Sequence, residues 1–237
     1  MKRVAFALAL LTVLLVAALP AFAHEEHCTE VGGVQNEDGE CIQAAAVEIT
    51  SVYPIEAAHV SDAMAAAIDI YIGESYTMMS DLFAQGFVPS VAIPWVMNIE
   101  SEVVDGVSTV SAVFLRYTYT GGANGNSEYH TVTAEVQSGN VLSLTDIFVE
   151  GVDPYTTLEP LAQAALAEAA GDMTDPTMIA AGTAPVPENY KSWALTTDSL
   201  NLYFDEYQVA AGAAGPIMIS IPLTELSDVL QPQYLPS

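Results

Sequence analysis

Metal binding and catalysis draw on few residue types, and this chain holds few of them. It has four histidines, two cysteines and 4 Lys+Arg against 30 Asp+Glu in 237 residues. Cys28 and Cys41 bracket a segment containing Gly32, Gly33, Asn36, Asp38 and Gly39, which is turn-forming composition. Two cysteines across such a loop, outside the cytoplasm, are expected to form one disulfide, and closing the loop would contribute about 3 kcal/mol in the chain-entropy model. The same segment supports two alternatives. His24, His27, Cys28 and Cys41 are four nitrogen and sulfur ligands of the kind zinc takes. If cleavage makes His24 the N-terminal residue, its amine and imidazole could chelate copper with His27. His24-Glu25-Glu26-His27 is not the zinc-protease HExxH, because its histidines are three apart rather than four. A calcium loop around Asn36-Glu37-Asp38-Gly39 fails because Val34 and Ala45 occupy its first and last ligand positions. No cofactor is therefore expected.

The body of the chain offers less. There is no Gly-x-Ser-x-Gly, and a disulfide leaves no thiol as nucleophile. His59 sits near a helix entrance and His130 alternates with Val132 on a strand, so both are expected to be structural or solvated. Asp205-Glu206 is a carboxylate pair of the sort glycosidases use, but strand neighbours point to opposite faces. The pair opens a loop in which Tyr207 offers an amphipathic contact and Gly212 and Gly215 permit close approach. A second loop, Gly121-Gly122-Ala123-Asn124-Gly125-Asn126, is expected to face it across a groove. The candidate ligand-binding set is Gly121, Gly122, Asn124, Asp205, Glu206 and Tyr207. The alternative is that both loops close the sheet, with Tyr207 packed on the core.

These loops need a scaffold. At its start the chain reads as an address: Lys2 and Arg3, an uncharged run over residues 4–19, Pro20, then Ala21-Phe22-Ala23. That is the layout of a secretory signal peptide cleaved after Ala23, with an uncleaved anchor as the alternative. No other stretch is long and apolar enough to span a bilayer. The remainder is expected to be soluble and extracytoplasmic, periplasmic or secreted. It keeps only Arg116 and Lys191 against all 30 acids, a net charge of −28. Nucleic acid is thereby excluded as a partner, since a polyanion needs clustered Lys and Arg. Such a field attracts cationic partners; the alternative is an acidic surface that serves solubility.

With 51% hydrophobic residues the chain can bury a core, and it shows no collagen period, heptad run or cysteine-rich framework. Residues 45–52 read as a strand closed by Pro54. Residues 61–85 read as one helix, N-capped by Ser61, with a kink at Gly73 allowed. Residues 91–102, 107–120 and 128–137 read as an antiparallel meander with turns at Asp105-Gly106 and Ser138-Gly139-Asn140. A second helix is expected over 154–170 and a loop over 171–187. Strands follow over 192–197, 200–204 and 217–221, and a short closing helix over 222–230. The pattern is α+β: antiparallel β-sheets packed against two main helices, with a short C-terminal helix.

The run from Trp193 through Phe204, then Tyr207-Gln208-Val209-Ala210, Ala213-Ala214-Gly215 and Ile219-Ser220-Ile221-Pro222-Leu223-Thr224-Glu225-Leu226, resembles the RsiV-like C-terminal domain family, DUF3298. Tyr53-Pro54, the helix after it and Tyr117 through Gly125 resemble that family's usual companion, the DUF4163 (PdaC/RsiV-like) domain. The family's glycine loop commonly reads Gly-Gly-Ala-His-Gly. Asn124 stands where that histidine would be, so any role of the histidine does not carry over. Beyond the signal peptide over 1–23 and a stapled extension over 24–43, the resemblance implies a DUF4163-like half over 44–137 and a DUF3298-like half over 138–237. It also implies a non-catalytic binding or sensor module for a cell-envelope component, a peptidoglycan fragment, or a cationic protein such as a lysozyme. A carboxylate-dependent hydrolase of wall glycan, or a metal-binding protein using the N-terminal segment, stand as alternatives.

Overall fold

The first strand of the main sheet, β3 (Val47–Ser51), runs parallel to its neighbour β4 (Trp95–Asp105), whereas every other strand pair among the described residues is antiparallel. A parallel pair needs a crossover, and helices supply it here. The computed structural model describes residues 33–35, 41–43, 47–85, 95–169 and 175–236. In the N-terminal unit, β1 (Gly33–Gln35) and β2 (Cys41–Gln43) form an antiparallel hairpin, with Val34 opposite Ile42. Cys28, His24 and His27 lie outside the described residues, and the disulfide and metal readings fall there with them.

From Ala46 onward the chain forms one unit. After β3 come α1 (Ile55–Ala58) and α2 (Asp62–Ala84). Ser61 caps α2 as expected: its hydroxyl accepts from Met64 N at 3.0 Å. The same hydroxyl donates to the Gly139 carbonyl at 2.6 Å, strapping the helix start to a sheet turn. α2 passes through Gly73 as one helix of 23 residues. Its buried Met64, Ile68, Ser75 and Met79 recur at helical spacing, and the three apolar ones pack on Trp95, Met97, Ile99, Phe114 and Val132 of the sheet.

β4, β5 (Thr109–Tyr119), β6 (Asn126–Glu135) and β7 (Val141–Leu142) complete a five-stranded sheet in the order β3-β4-β5-β6-β7. α3 (Pro154–Ala169) then buries Leu158, Ala162 and Leu166 against a three-stranded sheet. That sheet comprises β8 (Trp193–Leu195), β9 (Ser199–Phe204) and β10 (Ile217–Pro222), ordered β10-β9-β8. The mixed α+β architecture is as expected; three details differ. The antiparallel reading fails at β3, because α2 carries the chain back across the sheet. The stretch 171–187 is not all loop: α4 (Pro176–Gly182) forms where the Asp175 side chain accepts from Thr177 N at 2.8 Å and Pro176 fits the first turn. The closing helix over 222–230 is absent. Pro222 is the extended end of β10, only Leu223–Glu225 makes a 3₁₀ turn, and Leu230 bridges Phe148. Leu223, Leu226 and Leu230 have helical spacing, yet they reach the α3 core from a turn and a bridge.

Candidate functional site

β7 pairs with β6 only at Thr133 and Ala134, which leaves the first half of β6 with an open edge. An open edge presents unpaired backbone groups that must be satisfied. The chain around β8 and β9 satisfies them. Tyr129 N donates to Asp205 Oδ1 at 2.7 Å and Ser127 N donates to Glu206 Oε2 at 2.9 Å. Glu206 N donates to the Ser127 carbonyl at 3.0 Å, and Ser192 Oγ to the Tyr129 carbonyl at 2.9 Å. Trp193 N donates to Thr131 Oγ1 at 2.9 Å. Asp205 Oδ2 also pairs with Lys191 Nζ at 2.6 Å. The two carboxylates act as acceptors for backbone donors two residues apart on β6. They follow β9 rather than lie within it, so they share this edge instead of facing opposite ways, as strand neighbours would.

Holding Asp205 and Glu206 in place also sets Tyr207. Gln208 closes the turn: its Oε1 accepts from Asp205 N at 3.1 Å, and its Nε2 donates to the Gly182 and Asn189 carbonyls, both at 3.0 Å. Gly182 is required there, because a Cβ would collide with the Gln208 carbonyl oxygen. Tyr207 sits at φ +69, the one non-glycine residue with positive φ among those described, and is 55% exposed. A bulky residue in the left-handed region is uncommon and costs energy, so the surrounding structure must hold it. The Tyr207 ring lies over Gly212, where a Cβ would collide with it. Tyr207 is thus packed on a neighbouring glycine and open to solvent, not inserted in the core.

On the other side, Tyr117 lies over Gly125 in the same manner, and Tyr119 Oη donates to the Gly122 carbonyl at 3.0 Å. Gly121 and Gly122 both adopt positive φ, +98 and +96, which a side chain would resist. The two loops border one cleft of about 440 Å³, lined by Tyr117, Tyr119, Asn124, Glu206, Tyr207 and Gly212, among others. Of the six expected residues, Asn124, Glu206 and Tyr207 line it. Gly121 and Gly122 shape the loop behind it, and Asp205 stands back, bound to Lys191 and Tyr129. The residues the sequence reading missed are Tyr117 and Tyr119. Their alternation at the end of β5, just before Gly121, was a usable signal, because it places both rings on one face.

A second polar cluster lies on the opposite face, under α2. Arg116 pairs with Glu128 and donates to Ser75 Oγ at 3.1 Å. The His130 ring stacks on Tyr71 with centroids 4.0 Å apart. Burial, then Lys191 and Arg116, push the His130 imidazole down to about 4, against a smaller opposing effect of Asp205. It is therefore neutral near pH 7. Among the described residues, no three His, Cys, Asp or Glu side chains gather as a metal-binding group, and no helix is long and apolar enough to cross a membrane.

Residues 145–224 match the family described as Protein of unknown function (DUF3298). Over 140 residues the chain is 36% identical to the peptidoglycan-N-acetylmuramic acid deacetylase PdaC of Bacillus subtilis, covering 59% of this chain and 30% of PdaC. It is 22% identical over 141 residues to the immunogenic protein MPT64 of Mycobacterium tuberculosis, covering 58% of this chain and 60% of MPT64. The chain thus spans less than two thirds of either relative. A solved DUF3298 structure from Bacteroides fragilis aligns at 21% identity and a TM-score of 0.49, covering 71% of this chain and 66% of that one.

Proposed function

We propose, from the premise that residues 145–224 match the DUF3298 family, that this chain is an extracytoplasmic, non-catalytic recognition module that holds a peptidoglycan fragment in the tyrosine-rimmed cleft. The observation that carries this reading is that the loops 121–126 and 205–215 border one cleft, with Tyr117, Tyr119 and Tyr207 on its walls. Tyrosine rings offer flat apolar faces and a hydroxyl, which suits ligands with one apolar and one polar side. Asn124 and Glu206 add hydrogen-bonding groups at the wall. PdaC, whose name describes an enzyme of peptidoglycan, supports the envelope setting. The same reading takes residues 44–137 as the DUF4163-like half and the N-terminal segment as an export signal.

The hydrolase alternative draws no support from the Asp205–Glu206 pair. Each carboxylate accepts a backbone N–H of β6, and Asp205 is also ion-paired with Lys191. A cationic protein such as a lysozyme is the second reading, and the observation that favours it is the excess of 30 acids over 4 cations.

Calorimetric titration of the chain with muropeptides tests the first reading. Saturable binding is expected, weakened about tenfold by Tyr207→Ala, the size of loss typical of one aromatic anchor. Absence of muropeptide binding together with tight, salt-sensitive lysozyme binding would transfer the site to the second reading.

A further inference from the structure

We infer that the cleft is one end of a longer groove across the main sheet, and that this groove takes a glycan strand carrying free amino groups. The inference rests on the peptidoglycan reading above and adds the charge state of the ligand. The starting observation is the pleat of β5. Tyr117 and Tyr119 line the cleft just described. Val113 and Leu115 line a second cleft of about 310 Å³, together with Glu100, Ser101, Glu102 and Tyr129. Alternate residues of one strand share a face, so these four positions lead from one cleft into the other over about 20 Å. The register continues the face sideways. Glu102 lies beside Val113, Glu100 beside Leu115 and Asn98 beside Tyr117, while Tyr129 flanks Leu115 from β6.

The lining therefore combines four tyrosines, 117, 119, 129 and 207, with the carboxylates of Glu100, Glu102 and Glu206. Among the described residues, neither cleft is lined by Lys, Arg or His. Glu100 and Glu102 are exposed, two apart on the same strand face, where like charges destabilise each other mildly. Glu100 Oε1 accepts from Asn98 Nδ2 at 3.2 Å. The Glu102 carboxylate makes no hydrogen bond or ion pair among the described residues. The molecule's field makes matters worse for an anion and better for a cation, at a net charge of −26.

This chemistry discriminates among glycans. An ammonium group on a sugar ring gains twice here: it donates a charge-assisted hydrogen bond to a carboxylate and sits over a tyrosine ring's negative π-surface. The neutral acetamide of an N-acetylated sugar has neither charge term. The distance between the clefts fits an extended oligomer better than a monomer. A cationic peptide shares the charge, but flat rings spaced along a pleat match the flat faces of linked pyranoses.

The test uses the whole chain and chito-oligosaccharides of one length, fully deacetylated or fully N-acetylated, titrated calorimetrically at low and high ionic strength. The deacetylated oligomer is expected to bind about tenfold more tightly at low ionic strength, through a few exposed charge pairs. That advantage should collapse at high salt and in the double variant Glu100→Gln/Glu102→Gln, so that the ratio of the two affinities falls toward one. Equal binding of the two oligomers overturns the preference for amines and leaves the glycan reading standing. Binding of neither oligomer, with no binding of muropeptides, removes the glycan reading itself. An oligolysine of matching charge that binds as tightly, with the same loss in the double variant, also overturns the inference, because charge alone would then explain the groove.

Discussion

His130 illustrates how much one side chain's surroundings change its meaning. In the sequence it is a histidine on a strand. In the fold it stacks on Tyr71, lies near Phe114, and faces Arg116, Lys191 and Asp205. Its pKa falls from 6.5 in the unfolded chain to about 4 in the fold, burial being the largest cause. The unfolded state therefore takes up the proton first as pH drops. The resulting stability is complete above pH 6.5 and is lost as pH falls toward 4, by about 3 kcal/mol in all. Urea melts at stepped pH should show this slope, and His130→Phe, which keeps the stack on Tyr71, should flatten it between pH 6.5 and 5. A variant with an unchanged slope would move the cause to the carboxylates. Tyr207 is the converse case: its place in a glycine-rich loop was legible in the sequence, but its exposure and its positive φ were not. That conformation is imposed by Gln208 reaching Gly182 and Asn189, residues far away in sequence.

Helices and strands were legible to within a few residues where periodicity ran long, as in α2, α3, β4, β5 and β6. Short apolar stretches were not. The spacing of Leu223, Leu226 and Leu230 suits a helix, a turn or a bridge equally, and long-range contacts chose the last two. At this scale Ser61 ties α2 to the β6–β7 turn. Ser61→Ala should destabilise the chain by about 1–2 kcal/mol, since it loses both the cap and the strap to the Gly139 carbonyl. Ser61→Asp should recover only part, because a carboxylate can cap but cannot donate to a carbonyl; full recovery in denaturant melts would mean the strap contributes nothing. The edge of β6 yields a second prediction. In Asp205→Ala the Tyr129 amide loses its acceptor, so its hydrogen exchange should speed up selectively. The amide of Ser127, still held by Glu206, should slow the spread of that change toward the strand's start.

The whole molecule is dominated by charge. Both cations outside residues 1–23 are already engaged, Arg116 with Glu128 and Lys191 with Asp205, so the remaining acids repel one another without relief. Added salt screens that repulsion, and the melting temperature should rise by several degrees between low and molar ionic strength. A flat or falling melting temperature would mean the acids are spaced widely enough for their repulsion not to matter. The same field bears on function, since it sets the sign of any ligand that approaches the sheet face.

What the amino-acid order determined by itself was composition-borne or local: the acidic balance, the class of fold, the long periodic elements, and the two glycine-rich loops around Asn124 and Tyr207. These depend on contacts between near neighbours or on no contacts at all, so a linear reading reaches them. The tertiary structure alone decided that the two loops share a cleft, that Tyr117 and Tyr119 join them, and that Asp205 and Glu206 act as acceptors along the edge of β6. Each of these depends on where a crossover helix returns the chain and on which backbone donors a short neighbouring strand leaves unpaired. Such facts arise between segments some eighty residues apart, as in the bonds from Ser127 and Tyr129 to Glu206 and Asp205, and no local pattern encodes them.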